Sequence, residues 1–237
     1  MISGKCFSEL CKWVFDPRYP ERPLFQYSKA VTGDWVFVNG DYLLDLLQSF
    51  PTLILKRFVF VIHNTDRSFG EHELRRLLPH ARHIYAINTT VSHPRLTTIP
   101  IGFVDRQLLF LTTFVQTHEP RDIEIYQNFT TVTNATKRNE CASAFVGDSR
   151  VVCRTGLSVS EYYADLCRSK YVLCPEGTGI DTHRVYEALF CGATPVVVRN
   201  SLAPLYERLP VCILESWSDP LYVPQGKTFQ TECIRYV

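Results

Sequence analysis

Apolar runs and amphipathic stretches alternate along the chain from Asp34 onward. The continuous apolar run Phe58–His63 is typical of a strand buried on both faces of a sheet. It is followed by the segment Glu71–Leu78, whose leucines fall on one face of a helix. Similar short runs predict strands at Trp35–Val38, His83–Ile87 and Leu96–Ile101, and a helix at Tyr42–Phe50. Strand and helix in turn indicate a parallel sheet covered by helices.

The same alternation returns in the second half of the chain after a looser, Thr-rich stretch between about Val104 and Glu140. It predicts strands at Ala144–Gly147, Tyr171–Cys174, Thr194–Val198 and Val211–Leu214, and helices at Ser158–Arg168, Thr182–Cys191 and Ala203–Arg208. We therefore expect an α/β protein with two Rossmann-type lobes, mainly parallel sheets and a cleft between the lobes. The expected lobes are residues 1–105, of which the first 30 or so are unassigned, and 141–237, with 106–140 as the connection.

Composition and charge narrow the class of partner. The chain has 237 residues, 46% of them hydrophobic, which is enough material for packed cores. Basic and acidic residues nearly cancel, 25 against 24, and no Lys/Arg run could follow a nucleic-acid backbone. The N-terminus resembles no signal peptide, and no segment approaches the roughly 18 apolar residues of a membrane span. We expect a soluble protein that binds no nucleic acid and does not cross a membrane.

Cysteine usage bears on the compartment. The nine cysteines form an odd set without a CxxC pair, and most lie beside apolar residues, as buried free thiols do. This pattern favours a reducing compartment and a cytoplasmic location. The triplets Asn-x-Ser/Thr at Asn88, Asn128 and Asn134 are then chance matches rather than glycosylation sites.

The clearest chemical signal is the turn between the strand Tyr171–Cys174 and the helix that opens near Thr182. Its residues include Gly177, Thr178 and Gly179, so the backbone can turn sharply and approach a ligand. The first turn of a helix presents unpaired N–H groups, which favour a phosphate. An arginine there, Arg184, gains nothing from the helix dipole, and an anionic ligand would account for it.

Two simpler interpretations remain open for this segment. Turns with two glycines are common between a strand and a helix, and Arg184 with Glu187 three residues later is a spacing found in surface ion pairs. His183 is compatible with either phosphate contact or helix packing.

The segment Pro175–Val197 resembles the donor-binding signature of the exostosin-like glycosyltransferases. A strand, a Pro-x-Gly turn, an Arg-x-x-Glu helix and a Gly-x-x-Pro-Val-Val strand follow in that order. The likeness extends upstream to Tyr126–Arg138, similar to the family's Asn-Phe…Thr-Asn…Arg element, and to the stretch from His63 to Gly102.

The resemblance implies a GT-B fold and an inverting transfer from a nucleoside-diphosphate sugar, most often a UDP-sugar, to a glycan or glycoprotein acceptor. Carried over, Glu187 would accept hydrogen bonds from the ribose, and Arg184 with Arg138 would neutralise the diphosphate. The chain contains no Asp-x-Asp triplet, so we expect arginines and the helix dipole to replace a metal, with no cofactor.

Transfer to a hydroxyl needs a base, and Asp66 is our candidate. It follows the buried strand Phe58–His63, and open α/β sheets place ligand groups at the carboxyl ends of strands. Two alternatives stand beside it: Asp66 could instead cap the following helix or turn, and His63 could be the base or orient Asp66.

Two other functions compete with this hypothesis. A non-catalytic module could bind nucleotide or glycan with the same fold. An oxidoreductase of the dinucleotide-binding type would need a GxGxxG turn after the first strand, which the sequence lacks.

Overall fold

The computed structural model describes residues 1–51, 53, 55–114 and 120–237. The chain forms two compact units, residues 1–105 with 232–237, and residues 106–231. Each unit contains a five-stranded sheet in which every pair of neighbours is parallel. The predicted α/β class with Rossmann-type parallel sheets is confirmed.

The first unit has its strands in chain order, β1-β2-β3-β4-β5. The strands are β1 Trp13–Phe15, β2 Trp35–Asn39, β3 Phe58–His63, β4 Ala81–Ala86 and β5 Leu96–Thr98. The helices are α1 Gly4–Glu9, α2 Leu43–Gln48 and α3 Glu71–Leu77, with 3₁₀ turns at Gly40–Tyr42, Leu78–His80 and Asp105–Gln107, the last continuing into residues of the second unit. The central strand β3 has the bounds that its apolar run predicts, and its Phe58, Phe60 and Ile62 lie in the core.

The N-terminal residues, unassigned by sequence, are part of this unit. Ser3 caps α1 by accepting a hydrogen bond from the amide of Cys6, and β1 extends the sheet through pairs such as Val14 with Phe37. The C-terminal segment joins the same unit through a disulfide between Cys6 and Cys233.

This disulfide contradicts the reducing compartment expected from the cysteine pattern, although most of the cysteines are buried free thiols as predicted. Seven cysteines are free, and all of these except Cys153 are buried. Because disulfides persist mainly in oxidising compartments, the cysteines no longer support a reducing, cytoplasmic location. Among the residues that the structure describes, no helix has the length and apolar character needed to cross a membrane.

The second unit has the strand order β10-β9-β8-β6-β7. The strands are β6 Ile123–Gln127, β7 Val151–Cys153, β8 Ser169–Leu173, β9 Thr194–Val198 and β10 Cys212–Leu214. The helices are α4 Leu108–Thr113, α5 Ala135–Ala144, α6 Val159–Arg168, α7 His183–Phe190 and α8 Ala203–Tyr206, and a 3₁₀ turn at Cys233–Tyr236 belongs to the C-terminal segment of the first unit.

One predicted strand of this unit is wrong. Ala144–Gly147 contains the end of α5 and the turn after it, where Gly147 has a φ of 78°. The short apolar run there spans a helix end, where Phe145 packs into the core with Cys141 while Ala144 and Val146 are exposed. Two strands of this unit were not predicted: β6, inside the predicted connection 106–140, and β7, which follows it. Residues 115–119 of that connection lie outside the described residues.

Candidate functional site

The turn that carries the donor-site prediction connects β8 to α7 at the carboxyl edge of the second sheet. Asp181 anchors it, because its buried carboxylate accepts the hydroxyls of Tyr186 at 2.6 Å and Tyr206 at 2.8 Å. Thr182 is the N-cap residue of α7, but its side chain makes no capping hydrogen bond. Its buried Oγ1 has no partner within the part of the chain that the structure describes. The start of α7 is thus firmly held without a side-chain cap.

Arg184, in the first turn of α7, has an unusual side-chain environment. Its Nε and Nη1 atoms are buried and have no hydrogen-bond partner among the described residues. Its guanidinium carbon lies 5.7 Å from the centre of the Phe129 ring. Buried donors without acceptors are costly, about 1–3 kcal/mol each. Such a group is rare in a protein unless a ligand supplies the acceptor.

Arg138, on α5, lies beside the same phenylalanine. Its guanidinium carbon is 5.9 Å from the Phe129 ring centre, and its Nη1 donates to the Thr130 carbonyl at 2.7 Å. Its Nε donates to the Glu176 carbonyl at 3.2 Å. Burial, and secondly the charge of Arg184, lower the pKa of Arg138 below its ordinary value.

Two arginines therefore share one aromatic ring, and no carboxylate of the described residues forms an ion pair with either of them. The positive charges of the two guanidinium groups repel each other, and an anion bound between them would replace this repulsion by attraction. Arg138 and Arg184 with Phe129 are called the arginine pair below. The uncapped N-terminus of α7 adds a positive dipole end to the same place.

The glycine turn approaches the arginine pair closely. A Cβ atom on Gly177 would lie 2.9 Å from Nη2 of Arg138, so a larger residue would displace the guanidinium. Asn134, the N-cap of α5, donates from Nδ2 to the Gly177 carbonyl at 2.9 Å. The Gly177 amide donates to the Gly179 carbonyl at 3.1 Å, while Thr178 is exposed. The Gly177 amide therefore stabilises the turn itself.

Glu187, one turn further along α7, is buried with 6% of its surface exposed. The hydroxyl of Tyr162, on α6, donates to its Oε2 at 2.7 Å. Burial, and next the negative charge of Glu187, raise the pKa of this tyrosine well above its ordinary value. His183 is partly exposed in the first turn of α7. Tyr162 was missed by sequence reasoning because it belongs to no recognisable spacing, and Phe129 lies in the Asn-Phe element of the sequence but was given no role.

A cavity of ≈ 630 Å³ borders the same turn. Its wall includes residues after β8, β9 and β10 and the outer face of α5, among them Lys137, Glu140, Glu176, Arg199, Asn200 and Trp217. Glu176 accepts a hydrogen bond from Nδ2 of Asn200 at 2.9 Å through its Oε1. Asn200 follows a strand at the carboxyl edge, so the rule that selected Asp66 could have found it as well.

The predicted base lies in the first unit, just after β3. Asp66 is exposed and lies in a bend, while α3 begins after Gly70, so Asp66 does not cap that helix. His63 is buried, with Nδ1 3.0 Å from Oδ1 of Asn64 and Nε2 3.3 Å from the Pro100 carbonyl. Both of its ring nitrogens are engaged.

A buried polar network lies beside His63 and was not anticipated from the sequence. Asp16 accepts hydrogen bonds from the side-chain amides of Asn39 at 3.2 Å and Asn64 at 2.9 Å. Asn64 has a φ of 60° and also donates to the Tyr19 hydroxyl at 2.9 Å, which in turn donates to Asp105 at 2.5 Å. The network fixes the loop that carries Asp66.

Within the described ranges, no group of three or more His, Cys, Asp or Glu residues is arranged to hold a metal ion.

Comparison with known protein families bears on the second unit. Residues 107–221 match the family model described as the RXYLT1 C-terminal domain. This unit is similar to the RXYLT1 C-terminal domain. The matched range, just under half of the chain, contains the arginine pair, the glycine turn, Glu187 and the cavity. No curated protein matches the chain at a significant level. The similarity supports a glycosyltransferase-related function.

Proposed function

We propose that the protein is a GT-B glycosyltransferase that moves a sugar, with inversion, from a UDP-sugar to a hydroxyl of a glycan acceptor. The observation that carries the proposal is the arginine pair, two neighbouring cations in which buried donors of Arg184 have no acceptor among the described residues. The match of the surrounding residues to the RXYLT1 C-terminal domain supports the same class of reaction.

The diphosphate of the donor lies between Arg138 and Arg184 in this proposal. Its oxygens accept from the Nε and Nη1 atoms of Arg184, and its charge ends the repulsion between the two guanidiniums. The leaving diphosphate gains negative charge as the glycosidic bond breaks, so the same contacts strengthen in the transition state. This arrangement supplies the role of a metal ion through side chains and the N-terminus of α7.

In the same proposal, the ribose hydroxyls of the sugar nucleotide donate hydrogen bonds to Glu187. Its carboxylate oxygen Oε2 already accepts from Tyr162, which fixes the carboxylate plane. A buried and oriented carboxylate discriminates strongly for ligands that offer hydroxyl donors, because an unmatched polar group is costly there.

The chemical step is attack of the acceptor hydroxyl oxygen on the anomeric carbon. The new carbon–oxygen bond forms as the bond to the diphosphate breaks, and the hydroxyl proton passes to a base. Asp66 is the proposed base, since it is exposed at the carboxyl edge of the first sheet whereas both nitrogens of His63 are engaged.

A transfer assay with a panel of nucleoside-diphosphate sugars and glycan acceptors tests the proposal by detecting released nucleotide. Asp66→Asn should slow transfer by about 10²-fold or more and leave donor affinity nearly unchanged. Equal losses of transfer and of donor affinity in that variant would remove Asp66 from the role of base. The absence of nucleotide release with every donor, in the presence of acceptors, would refute the proposed reaction.

A further inference from the structure

The cavity beside the glycine turn has no role in the donor contacts described so far. It lies at the carboxyl edge of the sheet, because the residues Glu176, Asn200 and Trp217 follow β8, β9 and β10 respectively. Open parallel sheets bind their ligands outside this edge. The volume of ≈ 630 Å³ is ample for a monosaccharide ring.

Glu176 links this cavity to the arginine pair. Its main-chain carbonyl accepts from Nε of Arg138 at 3.2 Å, and its side chain lines the cavity, where Oε1 accepts from Asn200. Glu187 lies on α7, the helix that also carries Arg184, whereas the cavity is walled by α5, the helix that carries Arg138. Arg138 thus contacts a residue that lines the cavity, and Arg184 precedes the proposed ribose position, Glu187, on the same helix.

We propose that the cavity receives the sugar that is transferred, and that Glu176 and Asn200 read its hydroxyl groups. This inference rests on the proposed function, because Glu176 connects the cavity to Arg138, which contacts the diphosphate in that proposal. A carboxylate with an amide offers both acceptors and a donor to a sugar, and the nearby indole of Trp217 offers an apolar face.

The charges of the wall define the class of sugar. The two cations of the wall, Lys137 and Arg199, each form an ion pair with a neighbouring glutamate, so their charges are already balanced. Glu176 is hydrogen bonded to a neutral amide and keeps its negative charge available to the cavity. A sugar that carries a carboxylate would meet like charge at this point. The pair therefore selects neutral sugars over uronic acids.

Calorimetric titrations with UDP, UDP-glucose, UDP-xylose and UDP-glucuronate test this assignment. The measured quantity is the affinity for each UDP-sugar divided by the affinity for UDP alone. In Asn200→Ala and in Glu176→Gln, this ratio should fall about fivefold to tenfold for the preferred neutral sugar, as expected for one lost hydrogen bond, while UDP binds within about twofold of wild type. Glu176→Gln should also raise the relative affinity for UDP-glucuronate.

Glu71→Gln is the matched control, because it makes the same chemical change at an exposed residue that pairs with Arg75 in the first unit and is not part of the cavity wall. It should leave all ratios unchanged, and thermal melts of the ligand-free variants establish that they fold. Unchanged ratios in both cavity variants would overturn the inference, as would a loss of UDP affinity equal to the loss for the sugars. Wild-type protein that binds no UDP would instead overturn the proposed function.

Discussion

Replacing Arg184 by methionine should strengthen the fold and weaken the ligand site at once. Methionine keeps much of the volume of the side chain and removes the charge and the two buried donors that lack acceptors among the described residues. It also removes the like charge that helps to lower the pKa of Arg138. Most replacements of a buried arginine destabilise a protein, so the expected sign is diagnostic.

The magnitude follows from the contacts. Burying an unsatisfied polar group costs about 1–3 kcal/mol, and because Arg184 is partly exposed we expect a gain in unfolding free energy of about 1 kcal/mol. For a unit of this size, that gain corresponds to a rise in Tm of roughly 3–6 °C. Loss of charge-assisted hydrogen bonds worth about 1.5–3 kcal/mol should weaken UDP binding by about 10-fold to 150-fold.

Differential scanning calorimetry of the ligand-free protein and calorimetric titration with UDP measure the two effects. Arg121→Met is the matched control, because Arg121 donates to the carbonyls of Ser169 and Cys191 and the substitution removes both hydrogen bonds. That variant should melt below wild type. An Arg184→Met protein that melts as low as the control, or that binds UDP as tightly as wild type, would refute the reasoning about the arginine pair.

Three further predictions concern the turn, a histidine and the disulfide. Gly177→Ala should weaken UDP binding about tenfold with little change in Tm, because its Cβ would displace the Arg138 guanidinium, and titration with UDP measures it. Burial holds the pKa of His80 below its ordinary value of 6.5, so the unfolded chain binds the proton more readily and the unfolding free energy should fall as the pH drops below about 6.5. His80→Phe should flatten that fall in urea titrations at several pH values. Thiol titration of the denatured, unreduced protein should find seven thiols, and nine after reduction of Cys6–Cys233.

Each of these has a clear contrary result. Unaltered UDP affinity in the glycine variant would show that Arg138 does not meet the ligand. A pH dependence that is the same with phenylalanine at position 80 would assign it to other groups. Nine thiols before reduction would exclude the disulfide and restore the argument for a reducing compartment.

The strands with continuous apolar runs were predicted well, because a strand buried on both faces of a sheet is apolar at almost every position and its ends are therefore easy to locate. Phe58–His63 and Thr194–Val198 have the bounds that their sequences predict. The strand β6, Ile123–Gln127, was missed because polar residues alternate with its apolar ones next to a Thr-rich stretch. Ala144–Gly147 was mistaken for a strand because three apolar residues follow one another at the end of a helix, although only Phe145 of them is buried.

The site was accessible from sequence only where residues follow one another in a local order. Arg184 and Glu187 lie on one helix after a glycine turn, and this spacing can be recognised in a single sequence. Phe129, Tyr162 and Asn200 reach the site from different elements, so their roles depend on tertiary packing. The disulfide was equally out of reach, since its cysteines are 227 residues apart.

The most direct test of the central claim is a calorimetric titration of the wild-type protein with UDP, UMP and uridine in the presence of EDTA. We predict that UDP binds without a metal, that UMP binds more weakly, and that uridine binds weakest, because the arginine pair contacts the diphosphate in the proposed site. Equal binding of UDP and uridine, or binding of UDP only after a divalent metal is restored, would contradict it.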